Sequence, residues 1–492
     1  MDRMRLSAYS RKSSLAERPA GLTGNPARDL ANSFNVRVIV FLSLHAPLAL
    51  LMNMSPWFST IHGIVALLYG LRAALLGRTN QVVYAVSYIA AAEVLWRMSR
   101  ANLFWEYAKY AMLAIIFVAL IVEWSRRGES RRLRSVWPVL LAVALAPGAV
   151  MVLLQRGPSE AMDAISFNLS SYMALTALGV YLWARPIERD TAIRLLLMIM
   201  APIVGITFLA IYFTLTDLDS LIFLGASNFA TSGNYGPNQV SNMMGFGALA
   251  GVMLLILIPR GLGARSFILL VTLGMLGQGA LTFSRGGLYS FALAAAVFGF
   301  HLMNTPRARR RFLLLFGLFG AVLLVGIYPL LDDFTGGSLS ERFADTDTTG
   351  RVEVAQADIQ AFRENPIVGV GVGQSSEYHH DALGIDITAH TEFTRLLAEH
   401  GLFGIVAMAT LLWMMVHRYL GNRPGLARAM SASLSVWAVS IMFHSAMRLA
   451  VIPLAIALAF AMWQIRRPIK AELPVTIQPV AGAALHDPAG RK

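Results

Sequence analysis

Fourteen apolar runs, at 36–52, 59–76, 81–98, 102–123, 136–154, 166–183, 192–215, 239–258, 266–283, 287–304, 312–331, 392–416, 428–446 and 448–465, make up most of this 492-residue chain. A bilayer core takes about 20 apolar residues per crossing helix. Inside lipid the backbone must satisfy its own hydrogen bonds, so runs of this kind read as helices. Hydrophobic residues are 56% of the chain and charged residues 14%, against about 25% charged in soluble domains. The pattern predicts an all-α polytopic membrane protein of about 12–14 transmembrane helices. It excludes an ordinary soluble enzyme, a disordered chain and a fibrous rod.

The net charge is +13, yet no nucleic-acid partner is expected, because the basic residues sit in short loops between apolar runs. The segments Arg126–Arg134, Arg185–Arg194, Pro259–Arg265, Arg307–Arg311, His417–Arg428 and Arg466–Lys470 are strongly basic. With fourteen spans they all fall on one side, which the positive-inside rule places in the cytoplasm. Both termini then lie on that side. Residues 1–35 read as a disordered cytoplasmic tail, since the basic leader is too long for the start of a cleaved signal. Residues 36–331 read as transmembrane helices, 332–391 as one large periplasmic loop, 392–465 as the C-terminal transmembrane helices and 466–492 as a cytoplasmic tail. The absence of cysteine excludes disulfides, thiol catalysis and Cys-ligated metals.

Loops as long as 332–391 inside a compact protein usually carry function. Within it, Val352, Ala355, Ile359 and Phe362 recur at helical spacing and predict an amphipathic helix over Arg351–Glu364. Thr348 or Thr349 is available to cap it, and Asn365-Pro366 ends it. The following Gly369–Gly373 matches a nucleotide fingerprint by letters only, lacking a preceding strand.

Arginine on the outer side is the informative departure from the charge rule. Arg285 sits in Ser284-Arg285-Gly286, Arg342, Arg351, Arg363 and Arg395 lie in or beside the large loop, and Arg448 opens the last run. Singly, each can snorkel at the interface. As a group they suit an anionic ligand, because guanidinium groups offer planar, bidentate donors to phosphate and stay charged. His390 precedes the next span and can act on an acceptor hydroxyl as a base, or on a phosphate as a cation. Glu392, Arg395 and Glu399 share one helical face, and Glu93 and Arg97 stand one turn apart, with an ion pair as the plain reading of both. His379-His380-Asp381 lacks an evident fourth ligand, so neither a metal nor a cofactor is expected.

The order of short motifs carries a resemblance. Gly236-Pro237-Asn238-Gln239 opens one helix and Ser284-Arg285-Gly286 another. The large loop follows, with Thr349-Gly350-Arg351 and Asn365-Pro366-Ile367-Val368-Gly369-Val370-Gly371, then His390 and Gly401-Leu402-Phe403-Gly404. Over roughly 220–415 the chain resembles the O-antigen ligase and polymerase superfamily of bacterial inner-membrane glycosyltransferases. The resemblance implies a glycosyltransferase C-like helical fold and a donor glycan on undecaprenyl pyrophosphate. It implies metal-independent transfer at the periplasmic face of the inner membrane. By it, His390, Arg285 and Arg351 are the catalytic candidates, and Arg285, Arg351, Arg363, Arg395, Asn238 and Glu392 the substrate-binding ones. The expected function is O-antigen ligase, with a sugar hydroxyl of lipid A–core as acceptor. An O-antigen or exopolysaccharide polymerase is the alternative within the class. A transporter or flippase for an anionic lipid is the alternative outside it.

Overall fold

The structure, a computed structural model, describes residues 26–126, 134–216, 218, 221–223, 226–258, 262–303, 306–345, 350–384, 389 and 391–465. Of the tail expected at 1–35, residues 1–25 lie outside the described residues and 26–35 are helical, as the start of the first helix, which corrects that expectation; the tail at 466–492, His390, Thr348 and Thr349 also lie outside the described residues. Helices follow one another along the chain: α1 (Pro26–Ser43), α2 (His45–Met54), α3 (Pro56–Leu75), α4 (Thr79–Met98), α5 (Tyr107–Arg126), α6 (Trp137–Arg156), α7 (Pro158–Leu182), α8 (Arg189–Thr216), α9 (Pro237–Leu257), α10 (Leu262–Leu281) and α11 (Arg285–Leu302). Next come α12 (Pro306–Ala321), a π-turn at Val322–Ile327 and α13 (Tyr328–Phe334). Three short helices occupy the long loop: α14 (Ser338–Ala344), α15 (Arg351–Glu364) and α16 (Ser375–Leu383). The chain closes with α17 (Glu392–Gly421), α18 (Leu426–Met442) and α19 (Val451–Ala459).

Each of the fourteen apolar runs contains helix, and among the described residues ten helices are long and apolar enough to cross a membrane. The protein is a multi-pass membrane protein. Several limits differ from the periodicity. Helix α7 starts at Pro158 rather than near 166, because Gly157 (φ +76) alone turns the chain from α6 and Pro158 fits the first helical position. The run 102–123 becomes helical only from Tyr107. The last run holds just the nine residues of α19.

Side-chain size sorts the helices. Lipid is as apolar as leucine, so helix association in a bilayer rests on close packing of small residues. Helix α9, rich in Gly and Ala, is 83% buried over its span, whereas the Leu- and Phe-rich Gly317–Phe334 is 0% buried. In α4, Ile89-Ala90-Ala91-Ala92 is fully enclosed, and every residue of α19 is buried. Glycines set the closest approach. A Cβ on Gly287 of α11 would stand 2.2 Å from the Ser241 carbonyl of α9, and one on Gly245 of α9 2.3 Å from the Gly287 carbonyl.

Described arginines of the basic segments gather at one end of the bundle. Glu123 pairs with both Arg134 and Arg185, at 3.3 and 2.6 Å. Arg189 donates to the Leu257 carbonyl and Arg418 to that of Phe460. A two-stranded parallel ribbon that the periodicity did not foretell, β1 (Pro186–Glu188) with β2 (Met462–Gln464), closes this end. Helices α14–α16 cover the other end, here termed the loop face.

The apolar stripe expected on α15 is corrected. Val352 and Ile359 are exposed, and the buried face is Val354, Ala357, Asp358 and Ala361. Small side chains let α15 approach α17 closely enough for Asp358 to accept from His379 Nε2 (2.8 Å) and the Thr394 hydroxyl (2.6 Å). The glycine-rich segment also has a packing role. Val370 N donates to the Ala398 carbonyl (2.9 Å), Gly371 N to that of Glu399 (3.2 Å), and Leu402 N to that of Pro366 (2.8 Å). The segment thus lies against a break in α17, where Gly401 adopts φ 57, ψ −134.

Gly401 sits in a region open essentially to glycine, and a Cβ there would meet the Pro366 carbonyl at 2.5 Å. Gly401→Ala is expected to destabilise the protein by about 2 kcal/mol or more. A thermal melt of the detergent-purified variant should show a clearly lower Tm, whereas Gly326→Ala, where a Cβ meets nothing within 4 Å, should melt like the parent.

Candidate active site

The turn into α11 is built around a strained residue. Phe283 is buried with φ +57 and stacks on Phe223 at 5.4 Å. The turn is tied to the start of α9, where the Ser241 hydroxyl donates to the Ser284 carbonyl and the Ser284 hydroxyl to Asn238 Oδ1, both at 2.7 Å. The motif residues Asn238 and Ser284-Arg285-Gly286, distant in sequence, therefore form one wall. Arg285 begins α11, so the positive end of that helix dipole stands at the same place.

The loop helices supply the opposite wall. Arg342 of α14 donates to the Phe283 carbonyl (3.2 Å) and pairs with Asp345 (3.1 Å). Arg285 donates to the carbonyls of Arg342 (3.1 Å) and Asp345. Arg351, at the start of α15, is the third guanidinium. Its Nε is buried and has no hydrogen-bond partner among the described residues. Burial, then the neighbouring charges of Arg285 and Arg342, push its pKa down. The three arginines enclose a cavity of about 30 Å³ with Asn238, Ser284, Gly286 and His444. His444 lies over Gly286, where an added Cβ would come within 2.3 Å of its ring, and it hydrogen-bonds the Ser290 hydroxyl at 3.2 Å. Sequence reasoning did not single out His444, since its place is set by α18 packing on α11.

Arg395 and Glu392 are brought together elsewhere. Arg395 bonds Glu392 at 2.5 and 3.2 Å and Glu399 at 2.7 Å, all three side chains being buried. Glu392 also accepts from the Tyr172 hydroxyl (2.6 Å) and the Met447 amide (2.8 Å). The group is a closed internal network. Arg363 stands apart from both clusters, exposed on the last turn of α15. His379, considered for a metal, is engaged by Asp358. Thr391, just after His390, caps α17 by accepting from Thr394 N at 3.2 Å.

The two clusters differ in electrostatic kind. Around Arg395 the charges compensate one another. Around Arg351 three guanidiniums face one described carboxylate, Asp345, with a buried N–H left over. Such an arrangement is costly when empty and favourable around an anion.

Residues 270–409 match the family model described as O-antigen ligase. This segment is similar to the O-antigen ligase family. It runs from α10 to the broken helix α17 and so contains Arg285, Arg342, Arg351 and His390. Asn238 and His444 come from outside it, so segments flanking the matched region complete the cavity. No curated protein matches the chain.

Replacing Arg351 by Gln removes like-charge repulsion, so the empty variant should melt at or above the parent's Tm. Inorganic pyrophosphate should raise the Tm of the parent by mass action and leave that of Arg351→Gln unchanged. The opposite holds for Arg395. Arg395→Met strands Glu392 and Glu399, a loss of roughly 3–5 kcal/mol, and should show as little monodisperse protein on size-exclusion chromatography.

Proposed function

We propose that the protein is an O-antigen ligase, which moves a glycan from undecaprenyl pyrophosphate to a sugar hydroxyl of lipid A–core at the periplasmic face of the inner membrane. The observation that carries this reading is the convergence on one cavity of Arg285, Arg342 and Arg351, all three from the segment that matches the O-antigen ligase family. Their donors suit a pyrophosphate, and their charge suits the negative charge that develops on it as the glycosidic bond breaks. A cavity of about 30 Å³ has room for roughly one water, so the donor's entry needs movement of α14 and α15. In this reading His390 orients or deprotonates the acceptor hydroxyl, and the hydroxyl attacks the anomeric carbon as undecaprenyl pyrophosphate departs. The basic end of the bundle faces the cytoplasm by the positive-inside rule, which puts the arginine cavity on the periplasmic side, within reach of lipid substrates in the outer leaflet.

The transporter alternative calls for charges near mid-span and a site open to both sides. The buried charges lie instead near the two ends of the helices: Glu93 and Arg97 at the end of α4, Lys109 at the start of α5 and Glu392 to Glu399 at the start of α17 toward the loop face, and Arg185 and Arg418 at the basic end.

Deletion of the gene followed by a lipopolysaccharide gel tests the reading. Loss of O-antigen bands from lipid A–core, with long chains accumulating on the lipid carrier, is the outcome expected of a ligase. A core bearing one repeat unit would instead assign a polymerase, and an unchanged gel would remove the reading. Complementation with Arg285→Ala or with His390→Ala, at normal protein level, should each lower transfer by about 100-fold or more.

A further inference from the structure

A second hollow opens on the loop face, between the end of α4 and the start of α5. Its volume is about 290 Å³, and Glu93, Trp96, Arg97, Arg100, Phe104 and Trp105 line it. It is near the lower size of small-molecule sites, roughly 300 Å³. Arg97 pairs with Glu93 (2.8 Å), donates to the Trp105 carbonyl (2.7 Å) and lies 4.1 Å from the centre of the Trp105 ring. Its side chain is 8% exposed, and its Nε is buried with no hydrogen-bond partner among the described residues. Trp105 and Phe104 remain half exposed. Arg100 is held at φ 53, a conformation uncommon for a non-glycine residue.

Resting on the glycosyl-transfer reading, we infer that this hollow is a carbohydrate subsite, holding a sugar of one of the two glycan substrates. A sugar ring offers C–H faces and hydroxyls together. The exposed aromatic rings match the first, and the guanidinium donors with the remaining lone pairs of Glu93 match the second. A belt of interfacial aromatics would need neither a buried ion pair nor an unfilled donor. The surroundings of the hollow and of the arginine cavity share one segment. Arg97 faces the Tyr235 hydroxyl, which donates to Gln239 Oε1 at 3.0 Å. Tyr235 and Gln239 bracket Asn238, which lines the arginine cavity. One short segment, 235–239, therefore forms part of the setting of both.

The test uses full-length protein in nanodiscs with two readouts. The first is glycan transfer, with lipid-linked donor and lipid A–core titrated separately. The second is saturation-transfer NMR with the two free oligosaccharides, the delipidated donor repeat and the deacylated core. Trp105→Ala should raise KM for one glycan substrate about tenfold with kcat within about twofold. It should also abolish the NMR signal of the matching free oligosaccharide, and Trp105→Phe should restore much of both. Which KM moves tells donor from acceptor. Pyrophosphate protection of Trp105→Ala should equal the parent's, which reports the fold and the arginine cavity intact. Unchanged KM for both substrates and an undiminished NMR signal would overturn the subsite and leave an interfacial aromatic cluster. Parent protein that transfers no glycan yet binds a free oligosaccharide through Trp105 would keep the subsite and remove the transfer reading. Parent protein that binds neither oligosaccharide would overturn the subsite whatever its transfer activity.

Discussion

Two carboxylates hold a broken segment of backbone together at the loop face. Between α18 and α19 the chain is not helical, and two of its amides, those of Met447 and Ala450, turn to side-chain acceptors. Glu392 accepts from Met447 N at 2.8 Å and Glu93 from Ala450 N at 2.7 Å. In a bilayer an unmatched amide costs several kcal/mol, and carboxylates also complement the positive end of α19. Burying carboxylates demands compensation in turn. Arg395 supplies it for Glu392 and Glu399, and Arg97 for Glu93. The charged residues on α4 and α17 are thus a consequence of the short, buried α19.

That network also fixes the surroundings of the segment that matches the O-antigen ligase family. Glu392 is bonded by Tyr172 of α7, and Glu399 by Ser375 at the start of α16 at 3.4 Å. Arg395 further contacts Asn168 of α7 at 3.4 Å. The first turns of α17 are therefore anchored to α7, the α18–α19 connection and the loop helices together. Thr391 caps that helix. The Gly401 break serves the same end, letting the Val370 and Gly371 amides pair with carbonyls that a continuous helix would have kept.

How much of this was legible follows from the kind of signal involved. Apolar length marked the helices, because lipid penalises any polar interruption, and the basic loops marked one end. The short motifs marked Asn238, Arg285 and Arg351, which the structure does gather at one cavity. What the sequence could not separate was Arg351 from Arg395. Both are outer-side arginines, and their difference lies in partners contributed by distant segments. The buried face of α15 was misread for a related reason. Hydropathy selects Val352 and Ile359 as inward, but the interior of this protein favours small residues and specific polar pairs, so Ala357, Asp358 and Ala361 turn in. Gly157 and the β1–β2 ribbon escaped because neither interrupts an apolar run.

The same contrast explains why the site sits where three segments meet. A cavity lined by like charges works against its own assembly, and natural proteins commonly accept such local instability where function needs it. Here the opposing stabilisation comes from contacts that avoid the cavity. Helix α15 is held from behind by Asp358, through His379 and Thr394, and α11 is held by the backbone-close packing of Gly287 on α9. Arg351 and Arg285 are thereby presented from two independently fixed helices, and Arg342 from a third. Their mutual repulsion is not relieved by the apolar packing, and Asp345 is the described carboxylate beside them. Tight packing behind the arginines and the gathering of three like charges in front of it are therefore one arrangement, since without the first the second would open the loop face.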